Sequence, residues 1–186
     1  MRNVSLAAVA VMVLAACLPG CKEQRMRAQR EEYARQAHIA KLKSWVPAEY
    51  AGKVDPDFFT YPGFRDWFRF PLVYPYSINM VDDLQDGALV KVGPNKRIAS
   101  GGAWGAILGR LSHIAFNDRY MVGRVNSGEK WGTPKPEDIH WVLFEFASGE
   151  SKTFPTEEEA LAAAREVGFD SDTVLLSVEE QYNRCF

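Results

Sequence analysis

Residues His140–Phe146 constrain the fold of this chain more than any other stretch. His140, Val142, Phe144 and Phe146 alternate with Trp141, Leu143 and Glu145, so apolar side chains fall on both sides of the run. A strand of that composition is buried on both faces for most of its length, which places it centrally in a sheet. Ala147-Ser148-Gly149-Glu150 turns the chain into Ser151–Phe154, its expected hairpin partner. A helix then opens at Pro155-Thr156-Glu157-Glu158-Glu159. Thr156 and Glu159 make a capping box, and the acids of the first turn oppose the helix dipole. Ala160, Leu161, Ala164 and Val167 form one apolar face, and Gly168 suits the position after the helix. Ser177-Val178-Glu179-Glu180 is a second capping box and opens a last short helix.

Upstream, Ser77–Val81, Ala88–Val92, His113–Phe116 and Tyr120–Val125 read as short strands. Gly87, Gly93-Pro94-Asn95, Gly101-Gly102 and the turn Asn117-Asp118 separate them, and residues 126–138 form a loop. Strands in a meander followed by helices predict an α+β domain. The expected architecture is a single twisted, mainly antiparallel sheet, with C-terminal helices on one side and an N-terminal charged helix.

Residues 46–76 have a different texture. Phe58, Phe59, Tyr61, Phe64, Trp67, Phe68, Phe70, Tyr74 and Tyr76 crowd together with Pro56, Pro62, Pro71 and Pro75 between them. Proline at this density blocks long regular structure. The stretch is expected to be an irregular wrap, with one short turn near Gly63–Phe68, whose rings pack the core from outside. An exposed aromatic binding surface is the alternative.

Residues 22–45 are rich in Ala, Arg, Glu, Gln and Lys, free of Gly and Pro, and predict a helix that ends before Pro47. Met26, Tyr33, Ala37, Ile39 and Ala40 give it only a thin apolar stripe. Charge is uneven along the chain. Residues 22–43 carry seven Lys/Arg against three Glu, while residues 44–186 carry 14 basic against 21 acidic residues, a net −7. An acidic domain excludes a nucleic-acid binder, which needs a basic patch on the domain itself. The basic helix suits either a solvated face or an anionic membrane surface.

The N-terminus sets the address. Val4–Leu18 is apolar but for Ser5, follows Arg2, and is too short for a stable bilayer span of roughly 20 residues. It has the plan of a secretory signal peptide. Leu14-Ala15-Ala16-Cys17 resembles the lipobox of bacterial lipoproteins at every position, and Leu18-Pro19-Gly20-Cys21 resembles it at all but Pro19. That resemblance implies lipidation at Cys17, with Cys21 as the alternative, and ordinary cleavage with free thiols as the plainer reading. It divides the chain into a signal peptide over 1–16, an anchor and basic helical stalk over 17–45, and one α+β domain over 46–186. By the family's sorting rule, Leu18 after the cysteine implies the outer membrane, facing the periplasm. With Cys17 lipidated, Cys21 and Cys185 are left to form a disulfide in an oxidising compartment. Asn117–Gly123, Trp141–Phe144 and Phe154–Glu158 also resemble a pattern in small bacterial lipoproteins, one that implies no particular activity.

No constellation for catalysis or metal binding emerges. His38, His113 and His140 lack ligand spacing, although His113 and His140 open strands whose pairing would bring them together. Asp82-Asp83 and Asp86 lack the spacing of a calcium loop, and Gly101-Gly102-Ala103-Trp104-Gly105 lacks the lysine of a phosphate loop. Neither a cofactor nor a metal is expected. The leading expectation is a non-catalytic, lipid-anchored protein-binding module, in one version an immunity protein whose acidic face steers in a basic toxin. A structural or assembly lipoprotein of the envelope or a secretion machine is the alternative, followed by an envelope hydrolase using His113 or His140.

Overall fold

The computed structural model describes residues 6–93, 106–128 and 135–186, with side chains from Lys22 onward. Its contacts divide the chain into residues 1–37 and residues 38–186. The first unit is helical throughout its described length and belongs to α1 (Leu6–Ser44). From Lys22 to Ala34 every side chain of α1 is exposed, Met26 and Tyr33 included. No helix among the described residues is long and apolar enough to cross a membrane.

In the second unit the chain lays down an antiparallel meander. Its strands are β1 (Gly63–Phe64), β2 (Trp67–Pro71), β3 (Tyr76–Val81), β4 (Gly87–Lys91), β5 (Ala106–Phe116), β6 (Tyr120–Asn126), β7 (Ile139–Glu145) and β8 (Ser151–Phe154), hydrogen-bonded in that order. A two-residue β9 (Leu176–Ser177) pairs with β5 at His113 and Ile114. The α+β class is as expected, with α2 (Glu157–Glu166) and α3 (Val178–Cys185) closing the chain.

Register assigns the faces, because directly opposed residues on paired strands point the same way. Phe70, Ile78 and Leu89 lie opposite one another on one face, and Phe116, Met121 and Phe144 lie on that same face further along. In a flat sheet β3 and β7 would stand roughly 19 Å apart, four strand spacings. Yet the Tyr76 and Phe144 rings meet edge to face at 5.3 Å, and Tyr76 also lies 5.4 Å from Phe146. The sheet is therefore rolled, with this face concave. Leu42 at the end of α1, Phe58, and Val178 and Cys185 of α3 join the same buried cluster.

On the opposite, convex face Ala115, Val122 and Leu143 form a second cluster with Ala160 and Ala164 of α2. The two C-terminal helices thus serve opposite faces, where the sequence suggests one side. The reason lies in the strands: β5, β6 and β7 carry apolar residues on both faces, and each face needs its own cover. β7 is buried on both sides at Val142, Leu143 and Phe144 as expected, but it is the strand next to the edge, not a central one.

Two other departures have local causes. The aromatic stretch contains β1 and β2, not only a wrap; Pro62 and Pro71 sit at the strand ends, where a missing donor costs least. Its rings mostly lie inside: Phe58, Phe59, Phe70, Tyr74 and Tyr76 are buried, and Phe64 is 66% exposed. β5 extends upstream of its predicted core because Arg110, at φ 51°, makes an irregularity in the pairing with β4 that interrupts the pattern. Its guanidinium ties the two neighbouring turns together, donating from Nε to Asp86 Oδ2 at 2.9 Å and from Nη1 to the Gly128 carbonyl.

The caps of both C-terminal helices form. Thr156 accepts from the Glu159 amide, and Ser177 and Glu180 exchange the reciprocal bonds of a complete capping box. Gly168 leaves α2 at φ 98°, a conformation side chains disfavour.

Candidate functional site

In the rolled sheet the β2–β3 turn meets the β5–β6 and β7–β8 turns beside the segment that follows α1. They enclose a half-open cleft of about 210 Å³. Its aromatic lining comes from Tyr50, Tyr74, Tyr76 and Phe146, and its charged lining from Glu49, Lys91, Asp118, Arg119 and Glu145. Along the meander the β5–β6 and β7–β8 turns emerge at one end and the β2–β3 turn at the other, so it is the rolling that sets Tyr76 against Phe144 and Phe146 that brings them together.

Glu145 is the best-fixed polar group there. It lies opposite Tyr120 on β6, and the Tyr120 hydroxyl donates to Glu145 Oε1 at 2.9 Å. The Ser148 hydroxyl donates to Glu145 Oε2 at 2.8 Å. These bonds hold the Glu145 carboxyl below the ordinary range, Ser148 contributing most, and the same pairing pushes the Tyr120 phenol up. The β5–β6 turn is set by Asn117, whose side chain accepts from the amides of Arg119 and Tyr120. Each cation rests on a ring, with Lys91 Nζ 5.6 Å from the Tyr76 centroid and Arg119 5.2 Å from that of Tyr120. Tyr50 and Tyr74 pack edge to face at 5.0 Å beside them.

Chemically, the cleft offers carboxylates above an aromatic floor, with two cations parked on rings. A long basic side chain fits that arrangement, its stem on the tyrosines and its head on Glu145, Glu49 or Asp118.

The residues singled out from sequence fall elsewhere. His113 shares the convex face with Arg124 and Trp141, whereas His140 lies opposite Val125 on the concave face. β6 runs between their strands, so β5 and β7 do not pair and the two imidazoles do not meet. His38 packs in the second unit, its Nε2 buried with no hydrogen-bond partner. Asp86 holds Arg110, and Asp83 accepts from the Gln85 amide. Among the described residues no group of three or more His, Cys, Asp or Glu could hold a metal ion.

Cys185 is a free cysteine buried in the concave core, and burial pushes its thiol up to about 12. The side chains of Cys17 and Cys21 and the segment Gly101–Gly105 lie outside the described residues.

The cleft went unrecognised in the sequence, although one signal was present: Glu145 is the one acid of a strand otherwise apolar but for His140. No protein-family model matches the chain, and no curated protein or solved structure matches it.

Proposed function

We propose that this chain is a lipid-anchored lipoprotein facing the periplasm, whose second unit is a non-catalytic module that binds a basic protein partner. One observation carries the binding part: a carboxylate, Glu145, clamped by two hydroxyls above a tyrosine-lined cleft. A clamped acceptor loses little freedom when a cation arrives. The excess of acids over residues 44–186 supports it, since such a field speeds the approach of a basic partner at low salt. An immunity protein against a basic toxin is the specific form of this reading, and the lipobox-like Leu14–Cys17 supplies the anchor.

Pull-down from envelope extracts at low and high salt tests the binding. A specific basic protein should be retained by the native chain and lost by a Glu49→Lys, Glu145→Lys double variant. Recovery of no partner at either salt overturns the reading. Palmitate labelling tests the anchor: Cys21→Ser should still label and Cys17→Ser should not.

The exposed, charged length of α1 favours a second reading, a structural or assembly lipoprotein held in an envelope machine by its helix. Deleting residues 22–34 separates the two, because capture of a soluble partner survives the deletion and placement in a machine does not.

A further inference from the structure

Arg69 is the most unusual residue of the fold. It sits in the middle of β2 and is 1% exposed. Its Nε, Nη1 and Nη2 are all buried without a hydrogen-bond partner. The guanidinium lies over the Phe58 ring, 4.6 Å from its centroid. Stacking satisfies the flat face of a guanidinium and leaves its N–H edge, five donors in a fork, unmet. A buried cation in that condition is strongly unfavourable unless something accepts from it.

The neighbours supply further donors. Asn79 lies directly opposite Arg69 on β3, so both side chains leave the same face of the sheet. Ser77, fully buried two residues along on that face, approaches Asn79 Oδ1 through its hydroxyl at 3.4 Å. With the Asn79 oxygen engaged there, its amide hydrogens remain. The charge of Asp55 acts on Arg69, but Asp55 makes no hydrogen bond to the guanidinium, and its Oδ1 accepts from the Asp57 amide in capping that turn. The site therefore gathers a cation and an amide, and among the described residues no acceptor hydrogen-bonds to the guanidinium.

We propose that Arg69 and Asn79 form a binding site for a small oxyanion, a phosphate or carboxylate held in the guanidinium fork beneath Phe58. Near-complete burial limits the ligand to a free anion of this size. The burial that lowers the Arg69 pKa to about 10 is the same desolvation that a bound anion would offset.

The test is thermal unfolding of the full chain with inorganic phosphate or acetate exchanged for chloride at constant ionic strength. By mass action the midpoint should climb roughly 4 °C for each tenfold rise in oxyanion beyond half-saturation. Arg69→Met should abolish the response. Should that variant fail to fold, Asn79→Asp decides the matter. It places a carboxylate opposite Arg69, and is expected to raise the midpoint in chloride and flatten the response. A native midpoint that is the same in oxyanion and chloride overturns the proposal. So does an oxyanion response that persists in Asn79→Asp, or an Asn79→Asp protein less stable than the native one.

Discussion

On the concave face of the sheet Tyr76, Phe144 and Phe146 close on one another with ring centroids within 6 Å. On the convex face Ala115, Val122 and Leu143 receive Ala160 and Ala164 of α2. Strands β5, β6 and β7 supply both layers, through Ile114, Met121 and Phe144 on one side and Ala115, Val122 and Leu143 on the other. Yet the buried centre of the first is filled by rings and that of the second by aliphatic side chains, with Trp141 and Phe154 only partly buried against it. Rolling makes the difference. A concave face gathers side chains from strands distant in the sheet order, so large residues fill a space that no single helix would. A helix on the convex face approaches locally, and two alanines four residues apart let its backbone come close. Truncation should therefore hurt most on the concave side, and enlargement on the convex side.

Phe144→Ala should have the largest effect, roughly 3–5 kcal/mol, because the void it leaves is walled by residues held by the rest of the sheet. Urea unfolding measures this as a lower midpoint at unchanged slope. Ala164→Leu should cost about 1–3 kcal/mol by overpacking beneath α2, with the concave core intact. If Ala164→Leu were neutral while Leu143→Ala cost as much as Phe144→Ala, the two faces would not differ as described.

The caps sharpen the comparison at smaller scale. Ser177→Ala should cost about 1 kcal/mol, since it removes one arm of a complete capping box on the concave side. Thr156→Ala on the convex side should cost less, because Thr156 makes a single bond of 3.3 Å to the Glu159 amide. Chemical denaturation of both variants compares them directly. Hydrogen bonds from Ser177 also hold the Glu180 carboxyl below its ordinary range. Such a group adds stability above about pH 4.5 that is lost as the pH falls through its folded value, and Ser177→Ala should flatten that acid limb.

What the sequence discloses follows the range of the interactions. Caps, turns and the β7–β8 hairpin depend on residues within a few positions, and Thr156, Ser177 and Val142–Phe144 are legible for that reason. β2 is not, because its burial on both faces removes the alternation that marks a strand, and flanking prolines suggest a loop. The rolling is invisible because it depends on Tyr76 meeting Phe144, 68 residues later, across four strand spacings. Arg69 is the extreme case. In a sequence it reads as a solvated charge, and only its register opposite Asn79 and its cover by Phe58 make it a buried one. The cleft fails likewise, assembled from three turns that no local pattern links.

The smallest expected effect lies where the end of α1 meets α3. His38 is partly buried, and burial is the main cause holding its imidazole below 6.5, helped by the positive charges of Arg184 and Lys41. The folded state therefore disfavours the protonated ring, so the unfolded chain binds more protons as the pH falls through 6.5. Stability from this group is complete above that value and declines below it, opposite to what a histidine gaining an acidic partner would do. Because the ring is partly open to solvent, the loss should stay below about 1 kcal/mol. Thermal unfolding from about pH 7.5 to 5 should show a shallow decline in the native protein and a flatter line in His38→Gln, over a window above the range in which Glu180 titrates. A native midpoint that rises on acidification through that window would mean that His38 gains a carboxylate partner on folding, and would remove the desolvated contact between α1 and α3 from the concave core.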